Sequence, residues 1–247
     1  MSVLKKLYDE SKIWFAVAWI VAYCVLMSVG DALSEMVGVD KSVTLVVGVM
    51  LSAVLLLFLR KNGLFEDYGL CAPKISAKSM LYYAPILVML TANLWFGVSM
   101  NCGALETVLY IPAMLCVGFL EEVIFRGLLF EAMRKDSVKA AIIVSSVTFG
   151  IGHIINLING SGAELLPNLL QVVYATAAGF MFVMIYYKSG SMLPCIAAHG
   201  AFNALDVFAN EANVTVEMQI LNACLLTAIT GSYALYLVLS IKREKKD

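Results

Sequence analysis

The sequence predicts an all-α protein, a polytopic membrane bundle of about eight transmembrane helices, and three observations predict it. Of the 247 residues, 61% are apolar and 14% charged, whereas soluble domains run about 45–50% apolar and about 25% charged. Mean hydropathy is +0.87. The apolar residues also fall into eight long runs parted by short polar breaks, each close to the roughly 20 residues that one spanning helix needs. This composition excludes a soluble enzyme and a disordered chain. A net charge of −1 and a pI near 6.1 leave no basic footprint for nucleic acid.

The first run extends from about Ile13 to Ser28 and follows Lys5 and Lys6, as the core of a signal peptide would. It is too long for a short signal core and further runs follow, so it reads as a retained first helix. The eight expected spans lie at roughly 13–34, 42–60, 79–99, 105–133, 138–158, 166–187, 192–210 and 216–241. The breaks are Asp40-Lys41, Lys61-Asn62-Gly63, Asn101-Cys102-Gly103, Lys135-Asp136, Asn159-Gly160-Ser161-Gly162, Lys188-Ser189-Gly190 and Asn210 to Asn213. The seventh span is the weakest, because it carries Pro194, His199, Asn203 and Asp206. Between spans two and three, Arg60 to Lys78 mixes Glu66, Asp67, Pro73 and Lys74 with Leu64, Phe65, Tyr68 and Leu70. That mixture suits an interfacial loop or a short amphipathic helix. No linker or repeat divides the chain, so 1–247 reads as a single integral membrane domain.

Basic residues orient the bundle. Lys5, Lys6 and Lys12 precede span one. Arg60, Lys61, Lys74 and Lys78 lie between spans two and three, and Arg134, Lys135 and Lys139 between four and five. Lys188 follows span six, and Lys242, Arg243, Lys245 and Lys246 follow span eight. With eight spans, all of these share one side, and only Lys41 occupies a loop on the other. The positive-inside rule then puts both termini in the cytoplasm. The expected setting is a cell (plasma) membrane. The short loops and compact length suggest a prokaryote.

The six cysteines, Cys24, Cys71, Cys102, Cys116, Cys195 and Cys224, form no C-x-x-C pair and read as small apolar packing residues.

Span four contains Leu120-Glu121-Glu122-Val123-Ile124-Phe125-Arg126-Gly127. Each ionisable group costs about 2.5–3.5 kcal/mol at a helix centre on an insertion scale, so something must offset it. Glu122 and Arg126 are four residues apart, share a face and can pair. Glu121 is rotated by about 100° and faces elsewhere. The carboxylate without a cation is the better general-base candidate. The plainer reading is an ion pair that only fixes helix packing. The chain has two histidines, His153 and His199, and both fall within expected spans. Gly150 and Gly152 beside His153 permit close approach of a neighbouring helix. His199 and Asn203 are four apart on one face. Spans four, five and seven can therefore aim Glu121, His153, His199 and Asn203 at one wet cavity.

Neither an H-E-x-x-H zinc motif nor a G-x-S-x-G elbow is present. Glu121 with His153 can deprotonate a water, and His199 with Asn203 can stabilise an oxyanion. Two histidines and a carboxylate can instead hold a divalent metal such as zinc with one open position. Both arrangements lead to amide hydrolysis, on a substrate that is itself a membrane segment or a lipid-linked peptide.

The motifs Glu121-Glu122-x-x-x-Arg126, Phe149-x-x-x-His153 and His199-x-x-x-Asn203, in this order on separate spans, resemble the CAAX protease and bacteriocin-processing family of intramembrane endopeptidases. The resemblance covers about residues 110–206. It implies a membrane-embedded helical bundle with peptidase activity. In that family's terms Glu121 activates water with His153, Glu122 and Arg126 hold the site's electrostatics, and His199 and Asn203 stabilise the oxyanion. It implies a membrane-bound or lipidated peptide as substrate and leaves metal dependence open. Asp206 takes no family role and reads as an interfacial polar residue. Two other classes compete. One is a non-catalytic member that binds a peptide or partner protein, as in self-immunity to a bacteriocin. The other is a transporter with a buried Glu/His relay, which would call for inverted repeats that the chain lacks.

Overall fold

A computed structural model describes residues 3–159, 162–210, 212 and 214–244. Of the described residues 81% are helical, and no strand occurs among them. Helix α1 (Val3–Glu10) is a short amphipathic turn with its charges paired along one side, Lys5 to Asp9 at 2.6 Å, and Tyr8 buried on the other. Ser11 then caps α2 (Lys12–Val37), its hydroxyl accepting from the Trp14 amide. Gly38, in the left-handed region at φ 78°, ends α2, and α3 (Ser42–Lys61) returns beside it.

The third expected span is broken. A 3₁₀ stretch at Ala77–Tyr83 turns left-handed through Leu81, Tyr82 and Tyr83 (φ 50°, 52°, 58°). The short helix α4 (Ala84–Leu90) and a 3₁₀ turn at Ala92–Leu94 follow. Each left-handed L-residue costs roughly 1–2 kcal/mol, and hydropathy carries no trace of such a turn. The stretch still crosses the molecule. Ser79 O accepts from Lys188 Nζ at one end, and Asn101 Nδ2 donates to Ala209 O at the other.

Helix α5 (Ala104–Glu122) runs without interruption into a π-helical segment (Val123–Leu129) and then α6 (Phe130–Arg134). After a Ser137 cap come α7 (Val138–Gly152), a 3₁₀ turn (His153–Leu157), α8 (Leu165–Ser189), α9 (Leu193–Leu205), a 3₁₀ turn (Asp206–Phe208) and α10 (Val216–Glu244).

Among the described residues six helices are long and apolar enough to cross a membrane, fewer than the eight expected spans. The expected seventh span is the short α9 with its 3₁₀ extension, started by Pro194 in the first turn. Residues 64–76 form turns rather than a helix. Tyr68 is nevertheless buried there and donates to the Tyr8 hydroxyl at 3.0 Å. Burial raises its phenol above the ordinary range, which keeps it a proton donor. Parts of the expected breaks, Gly160, Ser161, Glu211 and Asn213, lie outside the described residues, as do Lys245 and Lys246.

The long helices are apolar all round. Val21, Val25, Val46, Met50, Leu221 and Leu235 are exposed on α2, α3 and α10, while the other faces of these helices bury Trp19, Leu55 and Leu237. A helix apolar on every side belongs in lipid or in a deep core, and these helices occupy both. The chain is an integral membrane protein. All six cysteines are unpaired, and only Cys195 is fully buried. The ends of the bundle are distinguishable. At one, the α1 end, Tyr68 donates to Tyr8, Tyr186 to Glu131 and to the Asp67 carbonyl, and Lys188 to the Ser79 carbonyl. At the far end, Asp31, Lys41 and Thr44 cluster, and Tyr110 donates to Asp206.

Candidate active site

Two glycines bring the helices close enough to build a site. A Cβ on Gly118 of α5 would collide with the Gly200 backbone of α9, so the two helices cross in backbone contact. Glu121 and Glu122 lie one turn beyond that crossing on α5, and His199 is next to it on α9. A Cβ on Gly150 of α7 would overlap Thr176 of α8, which sets the crossing that carries Phe149 and His153. Gly152, also expected to serve close approach, faces open space.

Glu122 and Arg126 are both fully buried and 3.1 Å apart, as their spacing predicts. Arg126 sits at the centre of the π-helical segment, a local widening of the helix that recurs at functional sites. Its guanidinium carbon lies 4.1 Å from the centre of the Phe149 ring and 5.5 Å from that of Phe182. These aromatic faces replace hydrogen-bond partners, which the three guanidinium nitrogens lack. The aromatic residue of the Phe149-x-x-x-His153 motif thus packs against the arginine of the first motif.

His199 ties the two glutamates together. Its Nδ1 donates to Glu122 Oε1 at 2.8 Å, and its Nε2 is 3.3 Å from Glu121 Oε2. The ring stacks on Phe182 and meets Phe149 edge-on, both at 5.5 Å. This corrects the expectation that Glu121 stands apart from its neighbour. Glu121 also has a partner that the motif reading missed, since Tyr23 of α2 donates to its Oε1 at 2.7 Å. A tyrosine in the middle of an apolar span must find an acceptor for its hydroxyl, and that was the available signal. Glu121 Oε2, by contrast, accepts no hydrogen bond, and the 3.3 Å approach of His199 Nε2 does not make one.

His153 lies just past the end of α7, where its carbonyl accepts from Asn168 Nδ2 at 2.8 Å. Its ring meets Phe149 edge-on at 5.4 Å. The span boundaries put His153 at a different depth from Glu121 and His199. Phe149, touching both histidines, draws them to one level.

These groups open onto adjoining spaces, two of which meet at His153 and Asn203. Glu121, His153 and Asn203 share the wall of a polar cleft of about 1110 Å³, which continues past Tyr23, Tyr110 and Asp206 to Asp31 and Lys41. His153, His199 and Asn203 border an apolar chamber of about 480 Å³ walled by Phe182, Phe202 and Leu226. Glu122 and Arg126 line neither space and stand behind the wall. The expected single cavity is therefore a cleft and a chamber that meet at His153 and Asn203. Asp206 is exposed at the cleft mouth, as an interfacial residue would be.

For a metal, the donors fit poorly as arranged. Both ring nitrogens of His199 are turned to carboxylates. Among the described residues, no three His, Cys, Asp or Glu side chains group as metal ligands.

A family model described as Type II CAAX prenyl endopeptidase Rce1-like matches residues 103–205. Over that stretch, less than half of the chain, the sequence is similar to the CAAX protease family. It spans α5 to the end of α9, the stretch that supplies Glu121, Glu122, Arg126, Phe149, His153, His199 and Asn203 but not Tyr23. The family is one of proteases, which supports a peptidase in general terms. No curated protein and no solved structure matches the chain.

Proposed function

We propose that this protein is an intramembrane endopeptidase that hydrolyses peptide bonds of membrane-associated or lipidated peptides, with Glu121 as general base. The observation that carries the reading is the different placement of two adjacent carboxylates. Glu121 is on the cleft wall with one oxygen uncommitted, whereas Glu122 is sealed behind it against Arg126. A base must reach water, and a structural carboxylate must not.

In the proposed mechanism a water in the cleft gives a proton to Glu121 Oε2 as its oxygen attacks the scissile carbonyl carbon. Tyr23, bonded to Oε1, holds the carboxylate in place. His153, across the same cleft without a direct hydrogen bond to Glu121, orients the water. Asn203, at the junction of cleft and chamber, donates to the oxyanion. His199 braces Glu121 and Glu122, and Arg126 pairs with Glu122 behind the cleft wall. The intermediate collapses as the C–N bond breaks, and the proton held by Glu121 passes to the leaving amine. The apolar chamber beside His199 suits an apolar side chain next to the scissile bond. Each step runs through this chain's own residues, with none through a metal.

The test is a cleavage assay on purified protein in detergent with membrane-anchored and prenylated peptides, read by mass spectrometry. Wild type is compared with Glu121→Ala, each with and without a chelator. Wild-type cleavage that disappears in Glu121→Ala and survives the chelator supports the proposal. Cleavage that Glu121→Ala retains contradicts it, and chelator-sensitive cleavage contradicts the metal-free route. A stable wild-type protein that cleaves no peptide shifts the reading to a peptide-binding or immunity protein.

A further inference from the structure

The mouth of the cleft and most of the basic residues occupy opposite ends of the molecule. From Glu121 toward the α1 end the path is closed. Every residue from Leu120 to Phe130 is buried, as is every residue from Met181 to Tyr186, and Met192 and Cys195 fill the gap between these segments and α9. The polar groove at the α1 end, around Lys12, Tyr68, Glu131 and Arg134, shares no wall residue with the cleft. From Glu121 toward the far end the path is open. The cleft reaches Asp31 near the end of α2, Lys41 in the turn before α3, and the exposed Asp206 beyond α9.

All described basic residues except Lys41 and Arg126 lie at the α1 end or in the loops that join it. Loops rich in Lys and Arg stay in the cytoplasm. The end that is open is thus the end that faces away from it.

We infer that the cleft takes its substrate from the non-cytoplasmic side. The substrate class is an exported peptide, or the outward-facing juxtamembrane segment of a membrane protein, rather than the lipidated tail of a cytosolic one. This rests on the endopeptidase reading for the cleavage step, but not for the side of access. Tyr23, which holds Glu121, is separated from the end of α2 by roughly 20 Å of helix at about 1.5 Å per residue. An extended chain at about 3.3 Å per residue needs roughly six unfolded residues to reach Glu121 from the mouth. A folded domain close to the scissile bond would block cleavage.

Two arms test the inference. In the first, single-cysteine variants in a background lacking the native cysteines are treated with a charged, membrane-impermeant thiol reagent, in intact bacterial cells and in inverted vesicles. Asp40→Cys reports the far end, Lys135→Cys the α1 end and Met114→Cys the cleft wall. The expected pattern is labelling of Asp40→Cys and Met114→Cys in cells with loss of it in inverted vesicles, and the reverse for Lys135→Cys. Labelling of Met114→Cys only in inverted vesicles overturns the inference. If the cysteine-free background does not fold, peptide mapping of the native protein replaces it. Cys102 and Cys71 then report the far end and the α1 end, and Cys24 reports the adjoining space that shares Tyr23, Glu121 and His153 with the cleft. In the second arm, wild-type protein in detergent, which has no sides, and in proteoliposomes of known orientation receives a water-soluble peptide that it cleaves. Cleavage confined to far-end-out proteoliposomes supports the inference, and cleavage confined to the opposite orientation overturns it. Absence of cleavage in detergent counts against the endopeptidase reading alone, and the labelling arm still decides the side of access.

Discussion

On the α1 side of Glu122 the helices pack around a dry wall of aromatic and aliphatic side chains, with Phe125, Phe130, Phe182 and Tyr186 all nearly inaccessible. On the far side the same helices part around a polar cleft that reaches the surface at Asp31 and Asp206. The boundary between the two regions falls between consecutive residues. Glu121 faces the cleft. Glu122 belongs to the wall, where a cation at 3.1 Å and a histidine nitrogen at 2.8 Å offset its charge. The contrast teaches that in a low-dielectric interior the partner set and the access to water, rather than residue type, decide whether a carboxylate acts as scaffold or as base.

The largest effect expected is on the closed side. Arg126→Met leaves the Glu122 charge buried without its cation, a change that costs about 3–5 kcal/mol. Thermal unfolding in detergent should show a steep loss of folded protein. The double variant Glu122→Gln/Arg126→Met should recover much of it, because both charges are then gone. No loss in Arg126→Met, or no recovery in the double variant, would mean that the buried Glu122 charge is not what the arginine offsets.

Next comes the tether between the regions. Tyr23→Phe removes a hydrogen bond to a charged group, worth about 1.5–3 kcal/mol. It should lower turnover at saturating peptide while leaving peptide affinity nearly unchanged, since the phenol holds the base rather than the substrate. A change confined to KM would place Tyr23 in substrate binding instead.

Overpacking at the Gly118–Gly200 crossing should cost about 1–3 kcal/mol. Gly118→Ala is expected to lower thermal stability and turnover together, since it moves the glutamates away from His199, whereas Gly152→Ala, which meets open space, should lower neither. The smallest effect belongs to the cleft mouth. Asp206→Asn keeps an acceptor for Tyr110 and is expected to shift stability by less than about 0.5 kcal/mol. A large stability loss there would show that the mouth is structural.

How far the sequence alone reaches depends on the range of each contact. The Glu122–Arg126 pair was legible because it is local, four residues along one helix. The all-helical membrane class was legible because lipid demands apolar surface outside as well as inside the bundle. The bond from Tyr23 to Glu121 joins residues 98 apart, and no local pattern announces which apolar span will meet which. The bridging of both glutamates by His199 was hidden for the same reason, since it follows from the crossing of α5 and α9. The broken third segment and the short α9 were misjudged because hydropathy counts apolar residues and does not register three left-handed residues or an early proline. The division of labour proposed for Glu121 and Glu122 draws on their different surroundings, and Glu121 is less isolated than helix rotation implied.

The most direct test compares that division within one preparation. Glu121→Gln and Glu122→Gln are each assayed for peptide turnover and for thermal unfolding in the same detergent. The account predicts that Glu121→Gln loses about 10²–10⁴ in turnover with its unfolding temperature unchanged, while Glu122→Gln unfolds at a clearly lower temperature. Equal losses of stability in both variants, or full turnover in Glu121→Gln, would contradict it.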